Sequence, residues 1–222
     1  MLQLVVFLGN PGADYQNNRH NAPWMLADAL PFAPRLGWQK KFKGLYAGMD
    51  SAMLSGAESS EGVPGEAPVP VKIHFLKPQT YMNSSGESAL AAASFFKIKL
   101  DEIIVVHDEI ELPLGTVSLK FSGGLGGHNG LRSMKACFGS ADFWRLRLGV
   151  GRPDSRLPGR GGNPESSRNA GIADWVLSDF SAAELETLAP VFTAASGLLV
   201  QALAAGPQRL LPEWAKKNCV IG

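Results

Sequence analysis

The side chains in this sequence best suited to chemistry are few and far apart. Four histidines occur: His20, His74, His107 and His128. No two have metal-ligand spacing, and neither His-Glu-x-x-His nor Cys-x-x-Cys is present, so no metal is expected. His74 lies inside the apolar run VKIHFL and reads as structural. His107 directly precedes Asp108, and neighbours in an extended strand point to opposite faces, so those two side chains cannot pair. His20 differs, because it follows GNPGADYQNNR and precedes a helix expected to begin near Asn21. A helix N-terminus disfavours an imidazolium and leaves a neutral ring able to accept a proton. Such a base needs a carboxylate to fix its tautomer, and Asp108, ending the strand-like EIIVVHDEI, is the candidate.

Three amides accompany this pair. Asn10, Asn83 and Asn129 each stand at a turn beside an expected helix or strand end. Each alone reads as a cap or turn former. Converging on a neutral histidine, they would suit a polar, uncharged carbonyl substrate. Asn129 closes the glycine-rich stretch FSGGLGGHNGLRS, residues 121 to 133. That stretch lacks the Lys-Ser/Thr of a P-loop, and Asn129 stands where a dinucleotide fingerprint has its third glycine, so no nucleotide cofactor is expected. Its glycines let the backbone approach a partner closely, and a mobile wall of the site is the expectation. A Gly-x-Ser-x-Gly elbow is also absent.

Elements must bring these residues together. LQLVVFLG (2 to 9) reads as a buried strand closed by a tight turn, and residues 21 to 30 as a helix with Asn21 as cap and Pro23 in its first turn. Further strands are expected near 42 to 49, 71 to 76, 102 to 110, 115 to 121 and 143 to 151, and further helices from about 84 to 96, 129 to 138 and 181 to 204. In the 143 to 151 strand, period two puts Arg145 and Arg147 on one face. This alternation predicts a single three-layer α/β/α domain over residues 1 to 222, around a mixed, mainly parallel sheet. Ligand sites in such sheets gather at the carboxyl ends of the strands, where Asn10 and Asp108 fall. Two stretches rich in breakers, 55 to 70 and 154 to 171, read as loop insertions.

Composition narrows the partners. The 222 residues carry a net charge of +1, but residues 118 to 172 hold nine basic side chains against three acids. That concentration suits a polyanion. The apolar stretch 188 to 206 contains Pro190, Thr193, Ser196 and Gln201 and reads as a packed helix, so no membrane is expected as partner. Two cysteines without a pattern and a start without a basic n-region fit a cytoplasmic chain.

Five segments in order, FLGNPGADYQNNRHN (7 to 21), KPQTYMNSSG (77 to 86), VVHDEIELPLG (105 to 115), GGLGGHNGLRS (123 to 133) and RLRLGVGRP (145 to 153), resemble the bacterial-type peptidyl-tRNA hydrolases, and DWVLSDF (174 to 180) extends the match. The resemblance implies hydrolysis of the ester joining a peptide to the 3′ end of tRNA, which recycles tRNA from aborted translation. It makes His20 the general base on water, with Asp108 holding its tautomer and Asn10 orienting the substrate. Asn83 and Asn129 would grip the substrate near the ester, with Tyr15, Tyr81 and Met82 beside them. Lys120 and Arg147 would meet tRNA phosphates, and bases near the 3′ end could stack on Tyr81 or Tyr15. No cofactor is implied, the partner is peptidyl-tRNA, and a monomer is expected. The chain departs from the family pattern at Ser118, where a second lysine is usual, so the phosphate clamp is expected either to be weaker or to borrow Arg145 or Arg152. The alternative reading is a non-catalytic, splicing-factor-like RNA-binding protein on the same fold.

Overall fold

The computed structural model describes residues 1–54, 71–152 and 171–219. The expected insertions at 55 to 70 and 154 to 171 therefore lie outside the described residues, apart from residue 171. The N-terminal apolar run forms the middle of the sheet as β1 (Leu4–Phe7), every residue of it buried. A strand covered by helices on both faces must be apolar throughout. Strands β4 (Lys72–Pro78) and β5 (Ile103–Glu109) flank it in parallel, and β7 (Trp144–Gly149) lies parallel to β5.

The outer ladders are antiparallel. β3 (Gly44–Asp50) pairs with β4, and β2 (Gln39–Lys41) pairs with β3 at one edge. β6 (Thr116–Phe121) pairs with β7, and β8 (Lys217–Asn218) with β6 at the other. The order is β2-β3-β4-β1-β5-β7-β6-β8. The parallel pairing expected from strand–helix alternation is confined to the four central strands. The edge strands β2 and β8 are too short and polar to stand out in sequence. The exposed lysines of β2 keep that edge from pairing with another chain.

Among the described residues, six helices cover the two faces: α1 (Ala22–Ala29), α2 (Ser85–Phe96), α3 (Asn129–Phe138), a helical segment at 171–176 (α4), α5 (Ala182–Ala205) and α6 (Leu211–Trp214). Period two sorts the strand residues between them. Val5, Phe7, Ile104 and Val106 join Leu26 of α1 and Val191 and Leu198 of α5 in one core. Leu4, Val6, Ile103 and Val105 join Ala89 and Ala92 of α2 and Leu131 and Met134 of α3 in the other. Helix α5 is long and apolar enough to span a membrane by length and composition. Here its apolar stripe is spent on the sheet, with Leu188, Leu199 and Leu203 buried. His74 is structural as expected: its Nδ1 lies 2.8 Å from the Tyr46 hydroxyl and its ring stacks on Phe96. Burial, aided by Lys72 and Lys41, pushes its imidazole down to about 4.

The same period sends Asp108 toward the α1 layer, in phase with Ile104 and Val106, while His107 faces the α3 layer. Helices α2 and α3 cross closely because Gly86 has no side chain. A Cβ there would fall 2.3 Å from the Ser133 carbonyl oxygen, and the Gly86 N–H donates to Ser133 Oγ at 2.9 Å. This crossing holds the first turns of the two helices together, and those turns carry Asn83 and Asn129. Gly86→Ala is expected to destabilise the protein by roughly 2 kcal/mol or more, because backbone rather than a flexible side chain must give way. Urea unfolding, with the midpoint falling at an unchanged slope, checks it.

Candidate active site

The carboxyl ends of β1, β4 and β5 meet the first turns of α1, α2 and α3 around a cavity of about 590 Å³. Asn10, His20, Asp108, Asn83 and Asn129 all line it, as do Tyr15, Tyr81 and Met82. Eight residues picked from four separate stretches of sequence thus share one cleft.

His20 sits in a 3-10 turn, Arg19–Asn21, that leads into α1. Its Nδ1 lies 2.8 and 2.9 Å from the two oxygens of Asp108. Because an ionised carboxylate only accepts, Nδ1 carries the proton and Nε2 is left as the acceptor nitrogen. Asp108 is almost wholly buried. Burial opposes its ionisation, but His20 and His128, by charge and by hydrogen bonds, outweigh it and hold the carboxyl well below the usual range.

His128 is the residue whose part sequence did not reveal. Its Nε2 lies 2.9 Å from Asp108 Oδ1. It is the N-cap of α3, and its Nδ1 accepts the backbone N–H groups of Gly130 and Leu131 at 3.1 and 3.4 Å. Those two donors force the proton onto Nε2, which therefore donates to the carboxylate. A histidine imitating a serine cap leaves no signature in spacing alone. His107 completes the cluster: its Nδ1 donates to the Asp108 carbonyl oxygen at 2.7 Å and its ring stands edge-on to His128. Burial, with the neighbouring His128, pushes the His107 imidazole far down and keeps it neutral.

His20, Asp108 and His128 are also the one grouping among the described residues whose ligand atoms lie close enough for a metal ion. The nitrogens touch the carboxylate directly, however, at 2.8 to 2.9 Å. An ion coordinated at about 2.0–2.2 Å by both N and O would hold those atoms farther apart than a hydrogen bond does. As built, the three side chains are joined directly by hydrogen bonds.

Asn10 is fixed from three sides. Its N–H donates to Asn21 Oδ1 at 2.8 Å, its carbonyl accepts from Asn21 Nδ2 at 3.0 Å, and its Oδ1 accepts the Met82 N–H at 2.8 Å. The amide NH₂ is left for the cavity. Asn21 was expected to cap α1, but its side chain braces Asn10 instead and makes no cap bond to the helix. Met82 packs onto the first turn of α3 where Gly130 makes room; a Cβ at Gly130 would come 2.6 Å from its sulfur.

Residues 4–219 match the family model described as peptidyl-tRNA hydrolase. A curated peptidyl-tRNA hydrolase of Treponema pallidum (strain Nichols) is 44% identical over 220 residues, covering 98% of this chain and 96% of that one. The chain belongs to the peptidyl-tRNA hydrolase family. Two solved structures agree in fold. One, a peptidyl-tRNA hydrolase in complex with n-propanol, has a TM-score of 0.75 at 25% identity and covers 96% of this chain and 94% of its own. The other, the Acinetobacter baumannii enzyme, has a TM-score of 0.68 at 27% identity over 96% and 92%. The protein is therefore a hydrolase whose substrate is peptidyl-tRNA.

The basic strip expected to meet phosphates lies beside the hydrolase cavity rather than in it. Register places Arg147 next to His107 on β5 and opposite Ser118 on β6, and Lys120 opposite Arg145, all on the α3 face. Arg147 is partly exposed, donating to Ser118 Oγ at 2.6 Å with its other arm 3.7 Å from Glu109. Arg145 cannot stand in for a lysine at 118. It is 2% exposed, and its guanidinium holds the carbonyls of Gly124 and Gly123 at 2.7 and 3.0 Å. The first part of the glycine stretch is thereby anchored, against the expectation of a mobile wall. Arg152 does line the cavity and pairs with Glu111. The apolar wall made by Ile110, Ile172, Val176 and Leu177 was not singled out in sequence.

The depressed carboxyl of Asp108 has a consequence for acid stability. A carboxylate ionising more easily in the fold than in the unfolded chain, where it titrates near about 4, stabilises the fold above that pH. Its contribution is lost as pH falls further. Unfolding midpoints followed from pH 5 to pH 2 should drop more steeply for the parent than for Asp108→Asn.

Proposed function

We propose that His20 is the general base of peptidyl-tRNA hydrolysis and that Asp108 fixes its tautomer and shares the charge it acquires. The observation carrying this reading is the double contact of His20 Nδ1 with a buried carboxylate, which leaves Nε2 for the cavity. A water beside Nε2 gives up its proton as its oxygen attacks the ester carbonyl carbon. The imidazolium so formed lies against Asp108, in a site where low dielectric strengthens the pair. When the C–O bond to the ribose breaks, the same proton passes to the departing ribose oxygen. His128 does not compete for that proton, because its Nδ1 already faces two N–H donors at the start of a helix.

The amide of Asn10, with Asn83 and Asn129, supplies neutral donors for the substrate carbonyls and for the developing oxyanion. Tyr81, 64% exposed at the rim, offers a face on which a base of the tRNA 3′ end stacks, with Tyr15 deeper inside. Lys120 and Arg147 meet backbone phosphates and set register without reading sequence. The enzyme works as a cytoplasmic monomer without a cofactor or membrane contact, a reading supported by its unpatterned cysteines and by α5 packed on the sheet. A non-catalytic RNA-binding role would need neither the dyad nor the braced Asn10.

Release of N-blocked amino acid from tRNA tests the assignment. His20→Ala should lower kcat by about 10²–10⁴-fold while leaving affinity for uncharged tRNA near the parent value. Asp108→Asn should also lose most of its rate with the fold retained; full activity in either variant contradicts the dyad. For Arg147→Ala, affinity should fall at every tRNA sequence, and the slope of log K against log salt should shrink by about one. An unaltered slope removes Arg147 from the phosphate contacts.

A further inference from the structure

Arg19, next to the general base, is a large cation buried to 4% exposure. Nothing in the reaction described above uses it. Its guanidinium reaches away from the cavity and grips the chain that closes the site from the far end of the sequence. Nη2 meets both oxygens of Glu184 at 2.7 and 2.9 Å. Nη1 meets the Ser178 carbonyl and hydroxyl at 3.1 and 2.7 Å and the Asp179 carbonyl at 2.7 Å. The guanidinium carbon lies over the Trp175 ring, 3.7 Å from its centroid. Trp175 in turn donates to the Gly151 carbonyl at 2.8 Å. The backbone adds to the join: the Arg19 N–H donates to the Ser178 carbonyl, the Phe180 N–H donates to the Asn17 carbonyl, and Asn18 bridges Asp179.

What this pin holds is functional surface. Ile172, Ala173, Val176 and Leu177, on α4 and the turn after it, line the same cavity as His20. Glu184 is itself anchored, because it closes the capping box of α5 with Ser181. Arg19 therefore connects three bodies: the turn bearing His20, the apolar wall and the start of the longest helix. Only a planar fork satisfies a bidentate carboxylate, two carbonyls and an aromatic face together; a lysine does not.

We propose that Arg19 is a positioning residue that sets the apolar wall against the general base, and that this wall receives the side chain of the amino acid esterified to the tRNA. The inference rests on the reading of His20 as the base, and it deepens that reading by giving the acyl side of the site an apolar preference. A wall held by one buried cation shifts as a unit when the cation is changed. Binding of the acyl side chain then weakens while the chemistry at His20 Nε2 stays intact.

The test uses one tRNA acylated with either N-acetyl-leucine or N-acetyl-glycine, with the full-length protein and with Arg19→Lys, Glu184→Gln and Leu177→Ala. For Arg19→Lys and Glu184→Gln, KM for the leucyl ester should rise about tenfold, with kcat within about threefold of the parent. KM for the glycyl ester and inhibition by uncharged tRNA should barely move. Leu177→Ala should raise the leucyl KM likewise, and adding Arg19→Lys to it should raise KM by less than the product of the single effects. Equal changes for the two esters overturn the proposal, as does a lowered melting temperature with both KM values unchanged, which would make Arg19 merely structural. A parent enzyme that does not distinguish the two esters also overturns it. Should Arg19→Lys fail to fold, Glu184→Gln carries the comparison, since it keeps the cation and weakens the grip. Activity surviving in His20→Ala would count against the base assignment alone and leave the KM comparison readable.

Discussion

Everything at this site depends on keeping one carboxylate charged where water is nearly excluded. Asp108 ends a strand buried on both faces, and an isolated charge there would cost several kcal/mol of desolvation. Two imidazoles remove that cost. His20 reaches the carboxylate from the turn before α1 and His128 from the first turn of α3, each through a ring N–H. The two histidines have opposite duties despite equivalent contacts. His20 leaves its second nitrogen in the cavity, whereas His128 has its second nitrogen occupied by the helix it caps. One carboxylate thus anchors both helical layers and leaves one of its two imidazoles with a nitrogen not bonded to it on the cavity.

The scaffold follows from that requirement. A base and its carboxylate on one side of the sheet, and the capping histidine from the other, can meet only where strand ends and helix starts converge. The carboxyl edge of a parallel sheet provides this, and here the four central strands are parallel. Close approach of α2 and α3 through Gly86, and of Met82 to Gly130, brings the amide-bearing turns within reach of one another. The cationic face spans the last of the central strands, β7 with Arg147, and the antiparallel β6 with Lys120, while the short edge strand β2 supplies the edge protection. The basic strip and the cleft thus occupy neighbouring regions of the same sheet.

Legibility varied with the reach of the interaction involved. The buried strands, the helix starts near 85 and 129 and the long C-terminal helix were visible because apolar periodicity and caps are local. His20 and Asp108 could be paired on residue type and on their places at element ends. Asn21 stands at the cap position of α1 as expected, but that its side chain braces Asn10, eleven residues away, depends on how a turn folds back. Arg145 and Arg147 are indistinguishable by period. Only the packing of the glycine stretch over the sheet buries one and leaves the other half-open. The apolar wall at 172 to 177 went unrecognised because a short amphipathic segment looks alike whether it faces a core or a cavity.

The sequence by itself determined the alternation of strands and helices, the family likeness, and which residues, His20, Asp108, Asn10, Asn83 and Asn129, would meet in one cleft. These are encoded in residue type and short-range spacing. The tertiary structure alone decided that His128 shares the carboxylate, that Arg145 is consumed by a loop, and that Arg19 ties the turn bearing His20 to chain some 160 residues later. Each of these rests on a hydrogen bond whose partner is chosen by how two distant pieces of backbone dock. Such a bond contributes only once the desolvated donor and acceptor have been brought face to face.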